Sequence, residues 1–339
     1  MIEKKSNLIL LLLEATGLFG ITTLYFEIVS PLFSSMGFLG NLLKWISYAA
    51  FGVIVFYTIR KLKDKWSFKD LGFKVYRNWK QDILLGIVIY CFLFLINIPF
   101  FIPVVSTYSE MFTENIGALS QQPVIIIFLL ATLMVFVTGF FTGALHEEIS
   151  YRGYLQGLFS KSGFPLIGFF ISFITFSFHH YFSHPEWNLF QVLHTILPGI
   201  ILCLAYFATE SLIVVITIHA LGNLVPIYGP LAHSLGYPTF SVLIIIITAV
   251  ISILILIVFR RDFIFFIKKS RELFLNSGFI IWLLGVSLGI TFLFLWHELK
   301  QIKLQFGLNN LTYYVLLLAF SVGCILISFL KFRKSPKLN

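Results

Sequence analysis

Tyr237-Pro-Thr-Phe-Ser-Val-Leu-Ile-Ile-Ile-Ile-Thr-Ala-Val-Ile-Ser-Ile-Leu-Ile-Leu-Ile-Val-Phe259 runs for 23 positions without a charged side chain and ends on Arg260-Arg261. A helix needs about 20 apolar residues to cross the hydrocarbon of a bilayer. An open strand there would leave backbone N–H and C=O groups unpaired in lipid, so the run predicts a membrane-spanning helix. Comparable runs fall at roughly 8–30, 42–59, 83–105, 123–147, 164–182, 189–208, 211–229, 278–297 and 311–330. The expected fold is all-α: a polytopic membrane helix bundle of about ten transmembrane helices around a polar intramembrane cavity. Only Thr209-Glu210-Ser211 separates the sixth and seventh runs, which predicts a tight helical hairpin.

The composition agrees. Of 339 residues, 58% are hydrophobic and 12% charged, and mean hydropathy is +0.94. An ordinary soluble domain carries about 25% charged residues. A soluble enzyme, a disordered chain and a small disulfide scaffold are all excluded. Cys91, Cys203 and Cys324 sit inside apolar runs and read as small buried residues. The first run is long enough to span and has no small-residue cleavage site at its end, so no cleavable signal is expected.

The net charge of +9 raises the possibility of nucleic acid, but the basic residues lie between apolar runs, where a membrane surface explains them. Ten spans place 21 of the 24 Lys and Arg on one side and only Lys44, Lys300 and Lys303 on the other. The positive-inside rule then puts both termini in the cytoplasm. Residues 60–81 read as a basic, solvated connector. Residues 260–274 read as an amphipathic segment lying in the interface.

All four Asp (Asp64, Asp70, Asp82, Asp262) fall in or beside cytoplasmic loops. Polar groups at membrane depth gather elsewhere: His146-Glu147-Glu148 with Arg152, then His179-His180, His194, and His219 with Asn223. An ionisable group at the bilayer centre costs roughly 2.5–3.5 kcal/mol even on insertion scales, so several together imply one shared, hydrated cavity. The helix bearing Glu147 is expected to run to about Ser160 and turn at Lys161-Ser162-Gly163. Glu147 and His180 are equidistant from that turn, about 16 residues or roughly 24 Å along each helix, and are expected to face each other. His219 and Asn223, spaced i, i+4, share a helix face.

Each candidate has a plainer reading. Glu148 and Arg152 are spaced for an intrahelical ion pair. His179 and His194 can be satisfied by packing or headgroups. Glu14 and Glu27 have no evident basic partner and read as interfacial or cavity-lining.

The residue types narrow the chemistry. A zinc protease helix wants HExxH, and the second histidine after His146-Glu147 is missing. No Asp lies in a span to form an aspartyl dyad, and there is no Gly-x-Ser-Gly nucleophile. A carboxylate, imidazoles and an amide remain. Hydrolysis of a peptide needs a base for water and donors for the oxyanion. Glu147, its basicity raised by burial, suits the first role, with His180 orienting the water; His219 and Asn223 suit the second.

Glu147-Glu148-x-x-x-Arg152, Phe176-x-x-x-His180 and His219-x-x-x-Asn223, with Tyr151-Arg152-Gly153-Tyr154-Leu155-Gln156 after the glutamates, resemble the motif set of the CAAX protease and bacteriocin-processing family of intramembrane proteases. The resemblance covers about residues 83–230 of a single membrane domain. Residues 1–82 and 236–339 add helices outside it.

The resemblance implies a bundle of eight or so helices and peptide-bond cleavage. Glu147 and His180 would be the water-activating pair, and His219 and Asn223 the oxyanion site. Glu148 and Arg152 would support the first glutamate. Phe176, on the face of His180, favours that histidine over His179. The expected partners are the bilayer and a peptide or lipidated protein, either a prenylated C-terminus or a bacteriocin-like or signalling peptide; nucleic acid is not expected. No cofactor is expected, the alternative being a zinc ion on Glu147, His180 and His219. A non-catalytic scaffold or immunity protein and a proton-coupled transporter remain open as other readings.

Overall fold

Backbone groups in lipid must be satisfied within their own segment, and every regular element among the described residues is helical. The computed structural model describes residues 8–33, 37–102, 105, 123, 125–127, 129, 132–133, 136, 139–183, 189–275, 278, 281–292 and 310–333. In chain order the first helices are α1 (Leu8–Phe33), α2 (Gly37–Asp64) and α3 (Trp79–Phe101). Two π-helical stretches follow, Gly139–Leu145 and Glu148–Gln156. Next come α4 (Gly157–Lys161), α5 (Pro165–Ser183), α6 (Leu189–Thr209) and α7 (Leu212–Leu224). The chain continues with α8 (Tyr228–Ser234), α9 (Pro238–Val258), α10 (Arg260–Leu275), α11 (Ile281–Phe292) and α12 (Asn310–Arg333).

The protein is an all-α membrane helix bundle. Among the described residues five helices are long and apolar enough to cross a membrane: Leu8–Phe33, Trp79–Phe101, Gln191–Thr209, Leu212–Ser234 and Thr239–Val258. Shorter apolar helices occupy Pro165–Phe178, Ile281–Phe292 and Thr312–Ser328. The expected fourth and ninth spans, 123–147 and 278–297, lie partly outside the described residues. Ile246, Val250, Ile253 and Ile257 on α9 are exposed, the pattern of a helix facing lipid tails.

The chain divides into two compact units. Residues 1–73, 149–182 and 276–339 form the first, and 74–148 and 183–275 the second. The division falls between Glu148 and Ile149, within the motif helix.

In the first unit an aromatic cluster joins helices distant in sequence. Phe19 meets Phe56, Tyr151 and Phe292 at centroid distances of 6.1, 5.7 and 5.7 Å, and Phe56 stacks on Tyr154 at 4.5 Å. Lipid tails are as apolar as these rings, so van der Waals packing and polar contacts hold the helices together. Each aromatic pair contributes about 0.5–1.5 kcal/mol. The motif helix ends where expected: Ser162 caps α4, and Gly163 turns the chain at φ 88°, a left-handed conformation glycine adopts without a Cβ clash.

Residues 60–73 differ from the solvated connector expected of them. The second helix continues to Asp64, a 3-10 turn follows at Phe68–Leu71, and Arg60, Trp66 and Leu71 are buried.

In the second unit α3 packs on α6, α7 and α9. Asp82, fully buried at its start, accepts hydrogen bonds from the Tyr76 and Arg77 amides and from the Ser211 hydroxyl, at 2.8, 3.1 and 2.9 Å. The carboxylate thus ties the α6–α7 hairpin to the head of α3. That hairpin is the tight turn expected, with Glu210 at φ 48° and its carboxylate on Lys74. The amphipathic α10 buries Phe266, Ser270 and Leu273.

Candidate active site

The site is built around a close approach of helices. Gly139 and Gly143 lie on the first π-helical stretch, which packs against α7. Asn223 Nδ2 donates to the Gly139 carbonyl at 3.1 Å. A Cβ on Gly143 would lie 2.5 Å from Asn223 Nδ2 and 3.7 Å from His219 Nε2. Only a residue without a side chain lets the His219–Asn223 face of α7 come this close. The spacing Gly139-x-x-x-Gly143 is a helix-approach motif that a sequence reading could have used.

His219 bridges the two glutamates. Its Nδ1 is 2.6 Å from Glu148 Oε1, and its Nε2 is 3.9 Å from Glu147 Oε2. The glutamates differ in access: the Glu148 side chain is 0% exposed and that of Glu147 is 23% exposed. With Glu148 ionised, the Nδ1–H donates to it, which fixes the ring and aims Nε2 toward Glu147. This Glu148–His219 bond was not expected from the sequence, which paired Glu148 with Arg152 and His219 with Asn223. Glu147, Glu148, His219 and Asn223 all belong to the second unit.

Arg152 and His180 belong to the first unit. Arg152 is fully buried, with its guanidinium carbon 4.2 Å from the Phe176 ring centroid. The Phe176 ring lies 4.9 Å from that of His180, and His180 Nδ1–H donates to the Phe176 carbonyl at 2.8 Å.

The motif helix is wound with i→i+5 hydrogen bonds over Glu148–Gln156, where the sequence spacing predicted an ordinary α-helix. Such windings occur mostly as single turns and frequently at functional sites.

Residues 127–225 match the Rce1-like family, described as type II CAAX prenyl endopeptidase Rce1-like. The match supports the resemblance of this stretch to the CAAX protease and bacteriocin-processing family. The match lies within the 83–230 stretch that carries the resemblance and contains Glu147, Glu148, Arg152, His180, His219 and Asn223. It indicates a protease of the CAAX type. No curated protein and no solved structure matches the chain significantly.

The remaining polar groups are held in other ways. His194, inside the matched stretch, accepts at Nδ1 from Asn97 Nδ2 at 2.9 Å and lies beside Phe101 at 5.6 Å, which is packing of the plainer kind. His146 is buried. The side chain of His179 lies outside the described residues.

Glu14, on α1 outside the match, departs from its expectation. It is fully buried and does have basic partners, Arg60 at 2.8 Å and Lys63 at 2.5 Å, and it accepts from the Tyr154 hydroxyl at 3.3 Å. Helices flanking the recognised core therefore hold a tyrosine of the motif helix. Glu27 is half-buried, and its backbone carbonyl accepts from the Tyr314 hydroxyl at 3.5 Å.

Proposed function

We propose that the protein is an intramembrane endopeptidase in which Glu147 and His180 activate water, and His219 and Asn223 stabilise the oxyanion. The observation that carries this reading is the Glu147–His219–Glu148 arrangement. The more accessible glutamate is placed to meet water, and the buried one to hold the imidazole.

Glu147 takes the proton of the attacking water as it adds to the scissile carbonyl. His180 would orient that water, the role the motif resemblance implies for it. Charge then develops on the carbonyl oxygen. His219, in this reading an imidazolium with its Nδ1–H on the Glu148 carboxylate, donates to it from Nε2. Asn223 donates from the amide N–H that Gly139 does not take, since a primary amide carries two. Pre-oriented donors of this kind contribute about 10²–10³ each in rate. The proton held by Glu147 finally passes to the leaving amine.

An apolar cavity of about 250 Å³ in the second unit is lined by Ile83, Ile87, Ile216, Thr217, Leu221 and Leu224 among others. It shares α7 with His219 and Asn223. Its volume lies below the ~300–1,000 Å³ of drug-sized ligand sites. It suits an alkyl chain or an apolar side chain of a peptide, which supports a prenylated C-terminus as the substrate class. Ten spans with cytoplasmic termini would present this chemistry to tails arriving from the cytoplasm.

Purified protein in detergent should cleave a prenylated peptide, and Glu147→Gln, which keeps the shape but cannot accept the proton, should abolish cleavage. Undiminished activity in that variant would discard the general-base assignment.

A further inference from the structure

Apart from the candidate active-site residues, the first unit holds a cavity of about 180 Å³ lined by Leu11, Arg60, Lys63, Asp64, Trp66, Lys161 and Ser162. Three cations and one carboxylate face one small space. At roughly 30 Å³ per water this is room for about six waters. The lining is built. Trp66, buried, is flanked by Arg60 at 4.3 Å and Lys161 at 4.8 Å, each in a cation–π contact. The Arg60 and Lys63 side chains are 4% and 2% exposed.

Buried cations need counter-charge. Glu14 supplies it to Arg60 and Lys63, and Asp64 pairs with Arg60. Even so, the buried Arg60 Nε–H has no acceptor among the described residues. Lys161, 31% exposed, reaches Asp70 at 2.7 Å. Residues 60–73 carry five basic and two acidic side chains, so the surroundings are positive as well.

We propose that this cavity is a second binding site, for a phosphate-bearing anion held by Arg60, Lys63 and Lys161 against the Trp66 ring. Guanidinium and ammonium donors are the usual phosphate partners. Tryptophan marks the depth of lipid headgroups. On the proposed topology the site opens at the cytoplasmic leaflet, where anionic lipids concentrate and basic pockets between helices take headgroups. The same chemistry would hold free phosphate. Burial pushes the Asp64 carboxyl up from its ordinary value and Glu14 adds to this, while Arg60 and Lys63 act against it. The one acid in the lining is thereby the group most readily neutralised when an anion enters.

The test uses the full chain purified in neutral detergent, with native mass spectrometry counting retained molecules. Three probes are titrated separately: phosphatidylglycerol, phosphatidylcholine and inorganic phosphate. Saturable retention of phosphatidylglycerol over phosphatidylcholine is expected. Lys161→Gln should weaken it roughly fivefold, since one basic residue contributes about 1 kcal/mol at an anionic surface. Asp64→Asn should strengthen it, because a competing carboxylate is gone. Opposite signs from two conservative variants keep the test decisive if one of them folds poorly. Competition by millimolar phosphate, with the same response to both variants, would assign the site to the free anion. Absence of saturable binding, or binding indifferent to both substitutions, overturns the proposal.

Discussion

Glu148 Oε1 and His219 Nδ1 lie 2.6 Å apart, joining the paired glutamates of one motif to the start of another 71 residues on. The buried carboxylate holds the imidazole ring in one orientation. Glu148→Gln keeps the shape but removes the charged acceptor at Nδ1. We expect kcat to fall by about 10²–10³ with little change in KM, the cost of one oxyanion donor. Equal losses in kcat and affinity would make the bond merely structural.

Gly143 is the point of closest approach to the α7 face. Gly143→Ala places a methyl 2.5 Å from Asn223 Nδ2. Overpacking of this kind costs about 1–3 kcal/mol. The variant should melt lower and lose activity through displaced Asn223. Gly222→Ala, one position before Asn223, meets nothing within 4 Å among the described residues and should be neutral or stabilising. Indistinguishable melting curves for the two variants would contradict the packing described.

Metal removal separates two uses of the same side chains. An imidazole whose Nδ1 is committed to a carboxylate, as in His219, can serve at Nε2 as an oxyanion donor when protonated or as a zinc ligand when not. We expect cleavage to persist in chelator-treated protein shown metal-free by elemental analysis. Loss on chelation and return with added zinc would move Glu147, His180 and His219 into ligand roles.

The charge bias predicts that residues 60–81 and 260–275 lie in the cytoplasm with both termini. Cys91, Cys203 and Cys324 are all buried, so an introduced thiol at exposed Lys69 can be followed against a low background. An impermeant maleimide should label it in broken cells and not in intact ones. Labelling from outside would end the ten-span topology.

Asp70 anchors this connector to the motif-helix turn. Burial works against its ionisation, but the Lys161 ammonium and the Ser67 hydroxyl and amide outweigh it and hold the carboxyl well below its usual range. A carboxyl depressed in the folded state stabilises it fully above the unfolded value of about 3.9, and that contribution fades as pH falls toward the folded value. The pair is largely exposed, so it is worth about 0.2–1 kcal/mol. The melting difference between the native chain and Asp70→Asn should therefore stay constant from pH 8 to about 5 and narrow only below about 4. Narrowing near neutral pH would show that Asp70 is not the group responsible.

The sequence made some of this legible because lipid leaves few choices. Long uncharged runs have to be helices, Thr209-Glu210-Ser211 is too short for anything but a hairpin, and Gly163 marks a turn. Glu147, Glu148 and His219 lie together in the second unit, whereas the depth argument concerned Glu147 and His180. Local spacing did not reveal the π-helical winding, because i→i+4 and i→i+5 bonding use the same residues and packing selects between them. The Glu148–His219 bond was hidden for a related reason. A partner four residues away, Arg152, is always visible, and one brought in by a hairpin is not. Glu14 was misread as partnerless because its cations lie on the far end of the next helix.

That last pairing bears on how the chain is made. Glu14 leaves the ribosome well before its counter-ions, which follow 46 and 49 residues later. At roughly 5–20 residues per second the interval is about 2–10 s. During it the first helix carries a carboxylate with no salt partner. It must wait at the headgroups or enter protonated until the second helix arrives. The two helices should therefore leave the insertion machinery as a pair, and a chain truncated before Arg60 should insert its first helix poorly, with Glu14→Leu restoring it.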